Sequence, residues 1–357
     1  MSKKHNFGAG PCILPQEVFQ QAAEAVLDFN GLSILEVSHR HKDFVAVMDE
    51  ARENVKKALN VPDGYTVLYL QGGASLAFLI SAMNMSGANK KAGYVNTGAW
   101  STKAIKEGKN AGLDVHVVAS SEDKNFNYVP KGYDIPTDLD FLHLTSNNTI
   151  FGTQMKDFPI TDAPLVCDMS SDIFSRQINV GDFDIIYAGA QKNLGPAGAT
   201  LYIVKEELLG KSTHPNIPTY LNLKTHHDKD SMFNTPPVFP VYVAMLNLRH
   251  MMKNGGVAEM EKKAQAKADL LYKEIDNNPL FKGTTAVEDR SNMNVTFVLN
   301  NDELTDEFNT AWNDAGIVGL KGHRSVGGFR ASMYNALDIS SVKVLTDLMN
   351  DFAQRKG

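Results

Sequence analysis

The sequence is poor in cysteine and in uninterrupted apolar runs. Its 357 residues include only two cysteines, Cys12 and Cys167, and neither belongs to a CxxC pair or has a histidine at metal-ligand spacing. We therefore expect no disulfide and no metal site. No apolar run approaches the ~18 residues of a membrane span, and no hydrophobic region follows the lysines of the first residues. These absences favour a soluble cytoplasmic protein.

An excess of positive charge is also missing. The 35 Lys and Arg residues are outnumbered by 41 Asp and Glu, which gives a net charge of −6. This balance argues against binding to nucleic acid or to an anionic membrane. An anionic ligand would have to be held by a few well-placed cations. The hydrophobic content of 43% is sufficient for a sizeable buried core.

Short apolar runs alternate with helical patterns over most of the chain, beginning with a helix at Gln16. This alternation is typical of a mostly parallel sheet covered by helices on both faces. After a long helical pattern that follows Gly256, the chain changes to a smaller α+β pattern. We predict an α/β protein with a large domain over 16–254 and a small domain formed by 1–15 and 255–357.

Lys192 lies in the stretch DIIYAGAQKNLGPAGATLYIV, among glycines and alanines and between two runs that are predicted as buried strands. The small neighbours leave room for a flat molecule. Desolvation lowers the pKa of a lysine and frees its amine to attack an aldehyde, which gives a Schiff base. The alternative is an ordinary solvated surface charge.

Two other residues fit the same hypothesis. Asp168 ends the run PLVCD, at the edge of the sheet where α/β proteins bind ligands. If Lys192 holds pyridoxal phosphate, Asp168 can keep the pyridine nitrogen protonated; otherwise it caps a turn. Trp100 follows another strand, where its ring would stack on the cofactor or simply belong to the core.

A phosphate site is predicted at the turn Gln71-Gly72-Gly73-Ala74-Ser75, which joins a strand to a helix. Backbone N–H groups at a helix N-terminus bind anions. The turn matches neither a Walker P-loop nor the GxGxxG fingerprint, which disfavours ATP or NAD as the cofactor.

Several longer runs carry a resemblance to a known family. SHRHKDF, CDMSSD, YAGAQKNLGPAG, SMFNTPPVF and GHRSVGGFRASMYNA resemble the phosphoserine aminotransferases, which are class V aminotransferases of fold type I. The resemblance covers essentially the whole chain. It implies a homodimer that uses pyridoxal 5'-phosphate to move an amino group between glutamate and 3-phosphohydroxypyruvate, in serine synthesis and on a related substrate of vitamin B6 synthesis.

The resemblance also implies a set of cofactor residues. Lys192 matches the Schiff-base lysine, Asp168 the partner of the pyridine nitrogen and Trp100 the stacking ring. Further matches are Ala74, Ser75, Thr149 and Gln191, together with Asn234 and Thr235, which are expected to reach the cofactor phosphate of the neighbouring subunit. Some relatives carry glycine and arginine in place of Ala74 and Ser75, so this chain has one cation fewer there.

Substrate residues implied by the resemblance are His39, Arg40, His323, Arg324 and Arg330. Arg330 matches the residue that binds the α-carboxylate. The other four are expected to hold the phosphate or the glutamate side chain, with His323 and Arg324 supplied by either subunit. An arginine fork suits both kinds of anion. From the residues alone, a solvated basic turn is the favoured interpretation of SHRHK.

Three other functions compete with this prediction. A cysteine desulfurase needs an accessible thiolate, for which Cys12 and Cys167 are poorly placed. Other class V transaminases have little use for cations at His323 and Arg324. A binding protein without catalysis would not need to retain Lys192.

Overall fold

The computed structural model describes residues 4–324 and 326–356. Its helices are α1 (Gln16–Leu27), α2 (Lys42–Leu59), α3 (Gly73–Asn84), α4 (Ala99–Asn110), α5 (Leu223–His227), α6 (Val238–Lys253), α7 (Gly256–Asn277), α8 (Thr305–Asp314) and α9 (Ile339–Lys356). Its strands are β1 (His5–Asn6), β2 (Tyr65–Leu70), β3 (Lys91–Asn96), β4 (Asp114–Ser120), β5 (Phe141–Thr145), β6 (Asn147–Asn148), β7 (Thr153–Gln154), β8 (Leu165–Asp168), β9 (Ile185–Gly189), β10 (Thr200–Lys205), β11 (Phe281–Gly283), β12 (Asn294–Leu299), β13 (Ile317–Val318) and β14 (Phe329–Ser332).

A seven-stranded sheet forms the centre of the larger part, in the order β2-β10-β9-β8-β5-β3-β4. Neighbouring strands from β9 to β4 are parallel, whereas β10 is antiparallel to both β9 and β2. The central strands β5, β8 and β9 are buried along their whole length, which explains their continuous apolar sequences. The predicted α/β class is confirmed.

Helices cover both faces of this sheet because side chains alternate between the faces along each strand. On one face, Val67 and Tyr69 of β2 join a core with α1, α2 and α6. On the other face, Leu68 and Leu70 join a core with α3 and α4. The sheet therefore lies between two helical layers.

The C-terminal part has a separate apolar core. Strands β11, β12 and β14 form an antiparallel sheet, and α7, α8 and α9 pack against it through residues such as Leu271, Phe308 and Phe352. The first strand, β1, pairs in parallel with β13, which brings the N-terminal segment to this part of the molecule. The domain boundaries remain a prediction.

Two details differ from the sequence pattern. The helix after the glycine turn begins at Gly73, earlier than the expected start at Ser75. Helix α6 was not predicted, because it has no polar face of helical period: nine of its 16 residues are buried.

None of the helices in the described ranges is long and apolar enough to cross a membrane.

Candidate active site

Five strands deliver side chains to one edge of the large sheet. Strands β3, β5, β8 and β9 end there, and β2 also ends there because it runs antiparallel to the reversed β10. The segments that follow these strands surround a cavity of about 210 Å³. Predicted cofactor residues that line it are Ala74, Trp100, Thr149, Asp168, Gln191 and Lys192. The topology thus brings together residues that lie far apart in the sequence.

Lys192 follows β9 in a loop that is held in place by hydrogen bonds to its backbone carbonyls. The Gly195 N–H donates to the Ala190 carbonyl at 2.7 Å, and Asn247 Nδ2 donates to the carbonyls of Asn193 and Leu194, both at 2.9 Å. Lys192 is half-buried and lines the cavity. Desolvation at this depth lowers the pKa of Lys192, and the nearby Asp168 charge only partly opposes the effect. The amine is therefore easier to deprotonate than an exposed lysine.

Asp168 ends β8 and is 5% exposed. Its Oδ1 accepts hydrogen bonds from the Ser170 N–H at 2.9 Å and the Ser170 hydroxyl at 2.6 Å. Within the described residues no donor reaches Oδ2. Burial raises the pKa of Asp168, while the Lys192 charge and the Ser170 bonds act in the opposite direction. The two ionisable groups influence each other without a direct ion pair, and Oδ2 is available to a ligand.

The indole of Trp100 is fixed at the start of α4. Its Nε1 donates to Thr149 Oγ1 at 3.0 Å, and Thr149 itself lies in the loop between β6 and β7. Lys192 Nζ lies 5.5 Å from the centre of the indole ring. An aromatic wall and an amine therefore face the same cavity.

The glycine turn leads into the N-terminus of α3, where the sequence predicts an anion site. Gly72 has a φ of 102°, and within the described part of the chain no side chain caps the helix, so the first N–H groups have no intrahelical or side-chain partner there. A Cβ on Gly72 would lie 2.4 Å from Leu76 Cδ2, so a larger residue is excluded. Ala74 lines the cavity, whereas Ser75 is exposed and does not.

Two predicted substrate residues, Arg330 and His323, also line the cavity. Arg330 Nη1 donates to the Thr149 carbonyl at 3.2 Å, and its buried Nε has no hydrogen-bond partner among the described residues. Most of the His323 side chain is exposed. The desolvation of its buried part and the charge of Arg330 lower the pKa of His323. The sequence left the donor subunit of His323 open; the structure places it at the cavity of its own chain.

Other predicted residues lie outside this cavity. His39 is 9% exposed and its Nε2 has no hydrogen-bond partner among the described residues, while Arg40 is exposed. The neighbouring His41, which was given no role, caps α2 by accepting the Asp43 N–H. The remaining predicted residues outside the cavity are Asn234, Thr235 and Arg324, all of which are exposed. Of these, Thr235 accepts a hydrogen bond from Gln71 at 2.6 Å.

Sequence reasoning missed several residues at the site. Ala9 and Gly10 line the cavity, and Cys12 binds the Lys192 loop through its N–H on the Gln191 carbonyl and its thiol on the Lys192 carbonyl. Ser170 orients Asp168. The only sequence signals for them are the glycine in FGAGPC and the short serine run after Asp168, neither of which identifies its partner.

The two thiols and the potential metal-ligating side chains limit the reactions that this site can perform. Both thiols are free, and burial raises the pKa of Cys12 to about 12 and that of Cys167 well above its ordinary value. Neither is the accessible thiolate of a desulfurase. In residues 4–324 and 326–356, no group of three or more His, Cys, Asp or Glu side chains could hold a metal ion.

The side chains present fit pyridoxal 5'-phosphate. Lys192 offers a desolvated amine, Asp168 an unengaged carboxylate oxygen, Trp100 a stacking surface and the N-terminus of α3 an anion site. This site at the edge of an α/β sheet defines a pyridoxal-phosphate-dependent enzyme of fold type I. The chain belongs to the class V aminotransferase family, whose model matches residues 5–345. Its cofactor is pyridoxal 5'-phosphate.

Relatives and solved structures extend this result. A phosphoserine aminotransferase of Flavobacterium johnsoniae is 60% identical over 350 residues, which cover 97% of this chain and 98% of that protein. The structure of phosphoserine aminotransferase from Bacillus circulans subsp. alkalophilus is 43% identical, with a TM-score of 0.96 and 99% of each chain covered. The structure of a cofactor-bound phosphoserine aminotransferase from Trichomonas vaginalis is 34% identical, with a TM-score of 0.93, and covers 98% of this chain and 100% of that one.

Proposed function

We propose that this enzyme transfers the amino group between L-glutamate and 3-phosphohydroxypyruvate, giving O-phospho-L-serine and 2-oxoglutarate in serine synthesis. The observation that carries the proposal is the single cavity shared by Lys192, Asp168, Arg330 and His323. It combines a desolvated amine with cations for a substrate that has two anionic groups. The names of the relatives support the same substrate.

Pyridoxal 5'-phosphate, when bound, withdraws electrons from the substrate α-carbon and stores the amino group between the two half-reactions. Lys192 would bind it and then take and return the α-proton, for which its lowered pKa is suited. Asp168 Oδ2 would hold the proton of the ring nitrogen. Trp100 would fix the plane of the ring against the cavity wall.

The two anionic groups of the substrate would be bound by different residues. The Nε of Arg330 has no hydrogen-bond partner among the described residues and is available to donate to a substrate carboxylate. The hydrogen bond from Arg330 Nη1 to the Thr149 carbonyl would hold the guanidinium in place. The phosphate, or the γ-carboxylate of glutamate, would then meet His323 and Arg324. Serine and alanine have no second anion, so these cations would favour phosphoserine.

The first experiment locates the cofactor. Borohydride reduction of the purified enzyme, followed by peptide mapping, should give a phosphopyridoxyl group on Lys192. A label on any other lysine would refute the assignment. Lys267 is the internal control, because it is also buried but is engaged with three backbone carbonyls.

The second experiment tests the substrate. Phosphoserine, serine and alanine are compared as amino donors, and the phosphorylated substrate of vitamin B6 synthesis is included. We expect phosphoserine to be preferred over serine by about 100-fold or more, because serine lacks the second anion that His323 and Arg324 are proposed to bind. Equal rates with serine or alanine would assign the chain to another class V transaminase.

We further propose a homodimer in which each subunit completes the site of the other. Asn234, Thr235, His39 and Arg40 lie outside the cavity of their own chain. The loop before His39 carries the exposed apolar residue Leu35, at 63% exposure. A partner subunit would cover this surface and receive these polar groups.

Mixed dimers test the shared site. Lys192→Ala and Arg40→Ala should each be inactive or nearly so with phosphoserine. If Arg40 acts in the partner's site, unfolding and refolding the two variants together should restore about a quarter of the wild-type activity, because half of the dimers are mixed and each has one intact site. If Arg40 acts in its own subunit, the mixture should stay inactive.

Two structural predictions complete the proposal. We propose a large domain over 16–254 and a small domain formed by 1–15 and 255–357; the separate apolar cores support this division. We also propose a cytoplasmic location, which the two free thiols support.

A further inference from the structure

Lys103 lies one helical turn after Trp100 on α4. Its Nζ is 4.3 Å from the centre of the Trp100 ring, closer than that of Lys192. The Lys103 side chain is exposed, and it forms no ion pair with an acidic side chain of the described residues. A cation–π contact at an exposed position is weak, and the aromatic ring does not neutralise the charge of the lysine.

Several other basic side chains lie near the same wall of the cavity. His323 comes from a distant segment, yet it is close enough to Lys103, Arg324 and Arg330 for their charges to lower its pKa. In the described lining of the cavity the only carboxylate is Asp168, which is buried at the end of β8 and bound to Ser170. The charged side chains near Trp100 are therefore mostly basic, and an anion there would be stabilised.

We propose that Lys103 binds the distal anion of the substrate, which is the phosphate of phosphoserine or the γ-carboxylate of glutamate. This inference rests on the proposed function. The Lys103 ammonium lies over the ring of Trp100, which lines the cavity, and its long exposed side chain can turn from the ring toward a bound anion. A mobile point charge can meet either a phosphate or a smaller carboxylate, which a fixed bidentate fork does less well.

The test uses three substitutions in the holoenzyme. Lys103→Gln keeps a flexible stem over the indole without charge, Lys103→Ala removes both, and Lys103→Arg keeps the charge. Lys106→Gln is the matched control, because Lys106 is exposed on the same helix. For each variant we measure kcat and KM with phosphoserine and with glutamate, the inhibition constant of inorganic phosphate, and the cofactor absorbance.

We expect Lys103→Gln and Lys103→Ala to raise the KM for phosphoserine about tenfold, and the KM for glutamate less, because phosphate carries more charge. Inhibition by inorganic phosphate should weaken in parallel. Lys103→Arg should stay within about threefold of wild type, and Lys106→Gln should be unchanged.

Two outcomes would overturn the inference. If Lys103→Gln keeps the wild-type KM and phosphate inhibition while Lys103→Ala does not, the lysine only packs on Trp100. If all variants resemble Lys106→Gln, Lys103 is a surface charge. A wild-type enzyme that does not react with phosphoserine would instead refute the proposed function, so the two failures are distinguishable.

Discussion

The substitution Ser170→Ala removes a hydrogen bond to the buried Asp168 carboxylate but keeps the carboxylate itself. It therefore tests how much this hydrogen bond contributes to the function of Asp168. The Ser170 hydroxyl donates to Asp168 Oδ1 at 2.6 Å and accepts the Gly189 N–H at 3.1 Å, so it connects the ends of β8 and β9. A hydrogen bond to a charged group contributes about 1.5–3 kcal/mol. Because the Ser170 N–H bond to Asp168 remains, we expect the variant to lose one such bond, and cofactor affinity should fall about 10- to 100-fold.

The pH dependence should move in a defined direction. Burial raises the pKa of Asp168, and Ser170 lowers it. Asp168 must be ionised to hold the ring proton, so activity falls as the pH drops through the Asp168 pKa. Loss of the serine hydroxyl should raise this pKa further. The acid limb of the kcat profile should therefore shift to higher pH in Ser170→Ala.

Ser171→Ala is the control for stability. Ser171 is also buried, and its hydroxyl bonds the side chain and the carbonyl of Asn147 without contacting Asp168. Both variants should be less stable by about 1–3 kcal/mol, measured by denaturant unfolding. Only Ser170→Ala should weaken cofactor binding in an absorbance titration of the apoenzyme. Equal cofactor affinities, or an unmoved acid limb, would refute the role of Ser170.

Three other predictions concern single groups. Arg330→Gln should raise the KM for phosphoserine and for glutamate alike, by about tenfold or more, because both share the α-carboxylate; a phosphate-selective effect would contradict this. Asn247→Leu should lower stability by about 2–4 kcal/mol in denaturant unfolding, since two buried carbonyls lose their donor; unchanged stability would contradict this. At pH 8, iodoacetamide should label neither Cys12 nor Cys167 in the folded holoenzyme, because burial raises both thiol pKa values; rapid labelling detected by mass spectrometry would contradict this.

The strand ends were predictable from the sequence because of a property of parallel sheets. Buried strands appear as short apolar runs, and their carboxyl ends meet at one edge. The residues that follow such runs are therefore expected to be neighbours, and Trp100, Asp168 and Lys192 do line one cavity. The direction of β10 was not predictable, because a buried strand has the same apolar pattern whether it is parallel or antiparallel.

Groups that act through long-range packing were not predictable. Cys12 reaches the Lys192 carbonyl across 180 positions, and no periodicity connects the two segments. Ser170 looks like an ordinary turn serine until β9 places the Gly189 N–H beside it. Lys103 looks like a solvated helix residue, and no pattern in the sequence indicates that it lies over Trp100 or near the distant His323.

The basic residues proposed to bind substrate differ in burial, and this difference corresponds to which anionic groups phosphoserine and glutamate have in common. Both carry an α-carboxylate, and the group that we propose for it is the half-buried Arg330, which donates a hydrogen bond to the Thr149 carbonyl. Their distal anions differ in size and charge, and the basic side chains that we propose for that end, His323, Arg324 and Lys103, are exposed. A buried cation gives a strong and geometrically strict contact, whereas an exposed one is weaker and can reorient. A site that must accept a carboxylate and a phosphate in turn needs the strict contact at the constant end and the adaptable ones at the variable end.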